Sequence, residues 1–185
     1  MTNKKLIIDT CSIRDFFKFY LFKSDNQEIF QGLLNFFVKK VESGEIIIID
    51  KVWEELPNWT RYKLSIKISK YIIDTKNLFN NVEQIIDDNK RNDILNKMDS
   101  NKQTIELDKY AFGPIADIYL LAYSANLKNQ NVDNILVTEE SKRDDGKILP
   151  KLPELCEKEN IEYQNIPKIL FNFYKDELNF SLNIA

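Results

Sequence analysis

The chain of 185 residues contains no histidine. This absence excludes Ser-His-Asp and Cys-His catalysis, every histidine general base and the usual zinc ligand sets. Cysteine is nearly absent as well, since Cys11 and Cys156 are the two in the chain and stand far apart. Any chemistry must therefore use carboxylates, lysine, hydroxyl groups or a metal ion, and we expect a reduced, cytoplasmic protein.

Long apolar runs are also missing. Before Asp9 the apolar run is Leu6–Ile8, far short of a signal-peptide core, and no later stretch approaches the roughly 20 apolar residues that span a bilayer. We therefore expect no membrane partner. The formal net charge of -3 gives no overall positive field for nucleic acid, although a local basic face is compatible with it.

The composition that is present is that of a globular protein. Hydrophobic residues make up 43% of the chain and aromatic residues 12%, which argues for a packed core and against global disorder. The 4 glycines and 5 prolines fit a helix-rich chain. A chain of this length buries well over half of the surface that it would expose when unfolded, so we predict a single domain over residues 1–185.

Short apolar runs alternate with helical periodicity. The predicted strands are Leu6–Ile8, Ile46–Ile49, Ile135–Val137 and an edge strand at Ile161–Tyr163. The predicted helices cover Ser12–Phe22 with Ser12 as the N-cap, Asn26–Val41, a helix starting at Val52, Pro114 to about Lys128, a short helix within Pro150–Asn160, and Pro167 to about Leu178. Residues 57–112 predict a helical insertion or lid. This order predicts an α/β fold with a central, mostly parallel sheet of about four to five strands flanked by helices.

Four acidic residues lie beside these apolar runs, namely Asp9, Glu55, Asp117 and Glu140. Because the carboxyl ends of parallel strands face the crevice where open sheets bind ligands, we expect the four side chains to converge there. Their charges would repel by about 4 kcal/mol for each pair 4 Å apart at an effective dielectric of about 20. A divalent cation offsets such repulsion, and oxygen ligands alone select Mg²⁺ or Mn²⁺.

Each of these positions has an alternative interpretation. Asp9 could simply cap a helix, and Glu54 competes with Glu55 on the same helix turn. In the loop after the third strand the alternatives to Glu140 are Glu139, Asp144 and Asp145, and spacing does not choose among them.

Aromatic and basic residues alternate between Trp59 and Tyr71. Such a run is more typical of a helix with a buried side and a solvated side than of a nucleic-acid-binding stripe.

Taken in order, the segments Leu6–Thr10, Val52–Leu56, Ala116–Ala122 and Leu136–Glu140 resemble the motifs of the PIN-domain nucleases. In that family an Asp ends the first strand, a Glu precedes Leu early in a helix, an Asp opens a later helix and a Thr-x-Asp loop follows a strand. The chain resembles in particular a bacterial branch with a helical insertion after the second motif. Glu140 departs from the pattern, because Asp is usual there; the replacement keeps the charge and lengthens the side chain.

The resemblance implies that Asp9, Glu55, Asp117 and Glu140 bind Mg²⁺ or Mn²⁺, with Thr10 and Thr138 supporting them through hydroxyl hydrogen bonds. It implies an endoribonuclease that cleaves phosphodiester bonds with metal-activated water, as in toxins that an antitoxin protein silences. The expected partner is RNA as substrate; an antitoxin protein and a second copy of the chain are the further partners that this interpretation includes.

Two alternatives stay open. One is a non-catalytic module whose acidic crevice binds arginines, with residues 57–112 as its interface. The other is a DNA-directed nuclease of a defence system.

Overall fold

The computed structural model describes residues 4–21, 27–78, 116–141 and 151–178. Asp144, Asp145 and residues 79–112 of the predicted insertion lie outside the described residues. Among the described residues, no helix has the length and apolar character needed to cross a membrane.

The described strands form one parallel sheet. They are β1 Lys5–Ile8, β2 Ile46–Ile47, β3 Asn134–Val137 and β4 Tyr163–Gln164. Their order is β2-β1-β3-β4, and all three neighbouring pairs are parallel. This arrangement confirms the predicted α/β class with a central parallel sheet.

Helices connect the strands and cover the sheet. They are α1 Thr10–Asp15, which continues as a π-helix over Phe16–Leu21, then α2 Gln27–Glu42, α3 Asp50–Glu55, α4 Asn58–Ile68, α5 Ala116–Asn129, α6 Leu152–Lys158 and α7 Ile166–Tyr174. Short 3₁₀ turns occupy Ser69–Tyr71 and Lys76–Leu78.

Both faces of the sheet are buried, which is why its strands read as continuous apolar runs rather than as alternating ones. On one face Leu6 and Ile8 line a small apolar cavity together with Phe37 of α2 and Ile169 of α7. Ile7 and Leu136 alternate to the other face and are fully buried there. The sheet is therefore a rigid layer. Side chains that follow the carboxyl ends of its strands can be held in fixed positions.

The predicted N-cap of the first helix is wrong. The helix begins at Thr10, and its N-cap is Asp9, whose carboxylate accepts a hydrogen bond from the Ser12 amide. Ser12 is completely buried, and its hydroxyl donates to the Val137 carbonyl at 3.2 Å. A serine turned into the core toward β3 cannot cap the helix, whereas the aspartate that ends β1 can.

Other predicted boundaries also move. The helix predicted from Val52 begins at Asp50, the last helix ends at Tyr174, and the edge strand lies at Tyr163–Gln164. The strand predicted to run to Ile49 ends at Ile47, and Ile49 forms an isolated parallel bridge with Ile73. Strand bounds depend on where a neighbouring chain supplies hydrogen bonds, and the apolar pattern does not encode that.

The first part of the predicted insertion belongs to the core. One side of α4 is fully buried through Thr60, Leu64 and Ile68. After α4 the chain returns to the sheet edge, where the Asp50 amide donates to the Ile73 carbonyl at 2.8 Å. Residues 58–78 thus contribute buried side chains to the core, with α4 packed against α2 and Ile73 bridged to Ile49.

Candidate functional site

Asp9 lies at the carboxyl end of β1 and is buried, with 3% of its surface exposed. Its Oδ1 accepts a hydrogen bond from the Ser12 amide at 2.6 Å, and its Oδ2 accepts one from the Cys11 thiol at 2.9 Å. Both carboxylate oxygens therefore have a donor from the first turn of α1. These two contacts fix the orientation of the side chain at the sheet edge.

Glu55, the last residue of α3, joins two distant segments of the chain. Its Oε2 accepts a hydrogen bond from the Thr10 hydroxyl at 2.7 Å, and its Oε1 accepts one from the Ala116 amide at 3.0 Å. Thr10 follows Asp9 in the sequence, and Ala116 precedes Asp117. One carboxylate thus holds the segments of Asp9 and Asp117 side by side.

Glu54 has a different environment. Its carboxylate pairs with the Lys51 ammonium at 3.1 Å, and 62% of the side chain is exposed. The structure thus brings Glu55 to the other acidic residues and leaves Glu54 on the surface of α3.

Asp117 lies in the first turn of α5. Burial, followed by the charges of Glu140, Asp9 and Glu55, raises the pKa of its carboxyl group to about 7. The helix N-terminus favours the charged form, so the opposing effects of burial and of three carboxylates outweigh it. The charges of Glu140, Asp9 and Glu55 thus all act on the carboxyl group of Asp117.

The two glutamates after β3 contact different helices. The Glu139 carboxylate accepts a hydrogen bond from the Ile166 amide at the start of α7, at 2.7 Å. The Glu140 carboxylate accepts one from the Leu152 amide at the start of α6, at 3.2 Å. Glu140 is the one whose charge raises the pKa of Asp117, so it is the neighbour of the acidic site.

Thr10 and Thr138 both contact the acidic residues through their hydroxyl groups. Thr10 donates to Glu55, and the buried Thr138 hydroxyl accepts the Glu140 amide at 3.1 Å. Thr138 therefore positions the backbone of Glu140 rather than its carboxylate.

Cys11 also contacts the acidic residues, and its sequence pattern did not predict this. Burial, followed by the Asp9 carboxylate, raises the pKa of its thiol to about 12. The group therefore stays protonated and donates to Asp9 instead of acting as a nucleophile. The contact could have been predicted from the position of Cys11, two residues after an aspartate that caps a helix. A side chain in the first turn of a helix can reach back to the capping residue.

The donor set consists of carboxylate oxygens, which suit Mg²⁺ or Mn²⁺. Within the described ranges, no three Asp, Glu, His or Cys side chains are grouped closely enough to hold a metal ion as they stand. Binding would require the carboxylates to move closer together, a change that a divalent charge favours and that their mutual repulsion opposes.

The chain was compared with protein families, curated proteins and solved structures. The family model described as "Domain of unknown function (DUF4411)" matches residues 21–173. No curated protein and no solved structure matches the chain. The resemblance to the PIN-domain nucleases thus stays a prediction. Because the family model covers most of the sequence, the chain belongs to the DUF4411 family.

Proposed function

We propose that this protein is a metal-dependent endoribonuclease of the PIN type, with Asp9, Glu55, Asp117 and Glu140 as its metal-binding carboxylates. The observation that carries the proposal is the Glu55 carboxylate, which accepts hydrogen bonds from the residue after Asp9 and from the residue before Asp117. A glutamate needed only for solubility would not join the two segments that bear the other acidic residues.

The four carboxylates have different surroundings and so different roles in the proposal. Asp9 is buried and fixed by two donors, so it would form the rigid part of the site. Asp117 shares the site with three other acidic groups, and a bound cation would favour its ionised form. Glu55 and Glu140 each already bind a helix amide, so each would present its remaining lone pairs to the cation.

A bound divalent cation would supply a water of lowered pKa and would stabilise the attacking and leaving oxygens of a phosphodiester displacement. The contribution of the protein is to hold four negatively charged groups at one edge of a rigid sheet. RNA is the partner that this proposal requires. The antitoxin and the second copy of the chain stay predictions of the resemblance.

The test is the variant Asp9→Asn, assayed for cleavage of labelled RNA with Mn²⁺. Asparagine caps helices about as well as aspartate, so the variant should fold like the wild type. Loss of one charged ligand should lower the cleavage rate by at least about 100-fold. A matched preparation of the variant also controls for a contaminating nuclease. Equal cleavage by both proteins would refute the proposal.

Two further measurements separate the alternatives. A competition between RNA and DNA of the same sequence identifies the substrate, and preference for DNA would favour the defence nuclease. The melting temperature, followed during a Mn²⁺ titration, tests metal binding directly, because a ligand that binds the folded state raises it by mass action. An unchanged melting temperature together with no cleavage would favour the non-catalytic module.

A further inference from the structure

The Cys11 thiol lies between the ends of two neighbouring strands. Its Sγ donates to Oδ2 of Asp9, at the carboxyl end of β1, with a distance of 2.9 Å. The same sulfur lies 3.9 Å from Oγ1 of Thr138, the residue that follows β3. Sulfur is a weak donor and acceptor, so each of these bonds is long or weak on its own. Together they join the ends of β1 and β3 through one side chain of α1.

These contacts have one consistent direction. A thiol or a hydroxyl group has a single proton to donate. Cys11 gives its proton to Asp9, so its sulfur accepts from Thr138. The Thr138 oxygen accepts the Glu140 amide at 3.1 Å, which leaves the hydroxyl proton for the sulfur. We call this series of hydrogen bonds, from the Glu140 amide through Thr138 and Cys11 to Asp9, the Cys11 network.

The electrostatics of the thiol agree with this direction. Burial, followed by the charge of Asp9 and the hydrogen bond to it, raises the pKa of Cys11 to about 12, so the thiol keeps the proton that it donates. The backbone of Glu139 and the Thr138 hydroxyl act in the opposite sense and lower this pKa. A group lowers the pKa of a thiol when it donates to the sulfur. Thr138 is therefore a donor to Cys11.

The Cys11 network lies where water cannot replace its members. Asp9 has 3% of its surface exposed, and Thr138 has 2%. A buried polar group that loses its partner stays unpaired, at a cost well above the net value of the hydrogen bond. The position of the Asp9 carboxylate is thus coupled to the loop that carries Glu140.

We propose that Cys11 is a positioning residue, whose thiol holds the Asp9 carboxylate in place relative to the Glu140 loop and so sets the affinity for the divalent cation. Removing a group that hydrogen-bonds a metal ligand typically weakens metal binding by about 10- to 100-fold. The inference rests on the proposed function, since it assigns the spacing of two of the proposed metal-binding residues to a thiol outside that set.

The test measures the affinity of the full chain for Mn²⁺ without RNA, by electron paramagnetic resonance of the free ion. Cys11→Ala should weaken binding by about tenfold. Cys11→Ser should stay within about threefold of the wild type, because a hydroxyl can also donate to Asp9 and accept from Thr138. A serine variant as weak as the alanine variant would overturn the proposal, since the thiol would then serve only packing.

A double-mutant cycle tests whether Cys11 acts through Thr138. In the background of Thr138→Val the thiol has lost its donor, so Cys11→Ala should weaken Mn²⁺ binding by only about threefold. A tenfold effect of Cys11→Ala in both backgrounds would show that the two residues act independently and would overturn the network.

The matched control is Ser124→Ala on α5. Ser124 is buried, and its hydroxyl donates to the side chain of Asn134, which begins β3 at the end opposite to Thr138. The variant also removes a buried donor, so it should lower the urea midpoint of unfolding while Mn²⁺ affinity stays within about twofold of the wild type. If it weakens Mn²⁺ binding as much as Cys11→Ala does, the affinity follows general stability and the inference is wrong.

The outcomes also separate this inference from the proposed nuclease. Mn²⁺ binding that depends on Cys11, without cleavage of RNA, would sink the nuclease and leave the positioning role in place. Cleavage by a wild type whose Mn²⁺ affinity is unaffected by Cys11→Ala would sink the positioning role alone.

A wild type that binds no Mn²⁺ would refute the metal site. The metal-free urea midpoints of the same four proteins of the cycle then decide the network. A smaller shift by Cys11→Ala in the Thr138→Val background would support the coupling of Asp9 to the Glu140 loop, and equal shifts in both backgrounds would overturn it.

Discussion

At the scale of single residues, Glu54 and Glu55 show how neighbouring identical side chains acquire different roles. Successive residues on an α-helix point about 100° apart. Glu55 therefore turns toward Thr10 and Ala116, whereas Glu54 turns toward Lys51 and solvent. The helix rotation, and not the residue type, decides which glutamate joins the other carboxylates.

Glu55→Gln should reduce both stability and cleavage. Glutamine offers one oxygen acceptor where glutamate offers two, so with that oxygen on the Ala116 amide the Thr10 hydroxyl must turn to accept from the glutamine NH₂, and both hydrogen bonds lose their charged partner. We expect the free energy of unfolding to fall by about 1–3 kcal/mol, measured by urea denaturation, and Mn²⁺-dependent cleavage to be lost.

Glu54→Gln is the matched control on the same helix. Its exposed ion pair with Lys51 should contribute less than about 1 kcal/mol, and the variant should cleave RNA like the wild type. A control that loses as much cleavage as Glu55→Gln would show that the two positions have been assigned the wrong way round.

At the scale of elements, four helices begin beside the acidic residues at the carboxyl ends of the strands. Asp9 caps α1, and Glu55 accepts the first amide of α5. Glu140 accepts the first amide of α6, and Glu139 accepts that of α7. The positive ends of helix dipoles attract negative charge, so these helix starts offset part of the repulsion among the carboxylates.

Glu139→Ala tests whether the second glutamate of this loop serves only the helix. Removing the carboxylate from the α7 N-terminus should lower the free energy of unfolding by about 1 kcal/mol, because Asn165 still caps the helix by accepting the Lys168 amide. We expect cleavage to stay within about twofold of the wild type. Glu140→Ala should cause a similar destabilisation and abolish cleavage; equal activity of the two variants would contradict the assignment.

At the scale of the whole molecule, the fold gathers acidic residues around Asp117, although the net charge of the chain is only -3. The raised pKa of Asp117 is the measurable consequence. It arises from burial and from Glu140, Asp9 and Glu55, groups that lie far apart in the sequence. Stability and metal binding should therefore both depend on pH through this group.

Without metal, the free energy of unfolding should fall as the pH rises from about 4 to about 7. The carboxyl pKa of Asp117 is raised from 3.8 to about 7 by folding, so in that range the folded state binds more protons than the unfolded state. The loss is at most about 1.4 kcal/mol per pH unit and ends above pH 7, as measured by denaturant titration at several pH values.

Asp117→Asn should flatten this pH dependence, because the amide does not titrate. Mn²⁺ at saturating concentration should restore stability to the wild type above pH 7 and leave Asp117→Asn little changed. A wild type whose stability is independent of pH across this range would show that Asp117 is not held among the other carboxylates.

Much of the fold could be predicted from local sequence patterns, namely apolar runs and helical periodicity. Runs such as Leu6–Ile8 and Ile135–Val137 predicted buried parallel strands because both faces of the sheet are covered. The periodicity of residues 26–41 likewise predicted α2. Boundaries were predicted less well, as with Ser12 and Ile49, because capping and bridging depend on partners supplied by Val137 and Ile73.

The sequence by itself determined which residues could form the acidic site, because the order of apolar runs sets where strands end and parallel strands end at one edge. Only the tertiary structure gave Glu54 and Glu55, and likewise Glu139 and Glu140, their different environments. Their environments come from partners such as Ala116, which is 61 residues from Glu55, and Ile166, which is 27 residues from Glu139. Such contacts form only when the chain packs, so no local pattern encodes them.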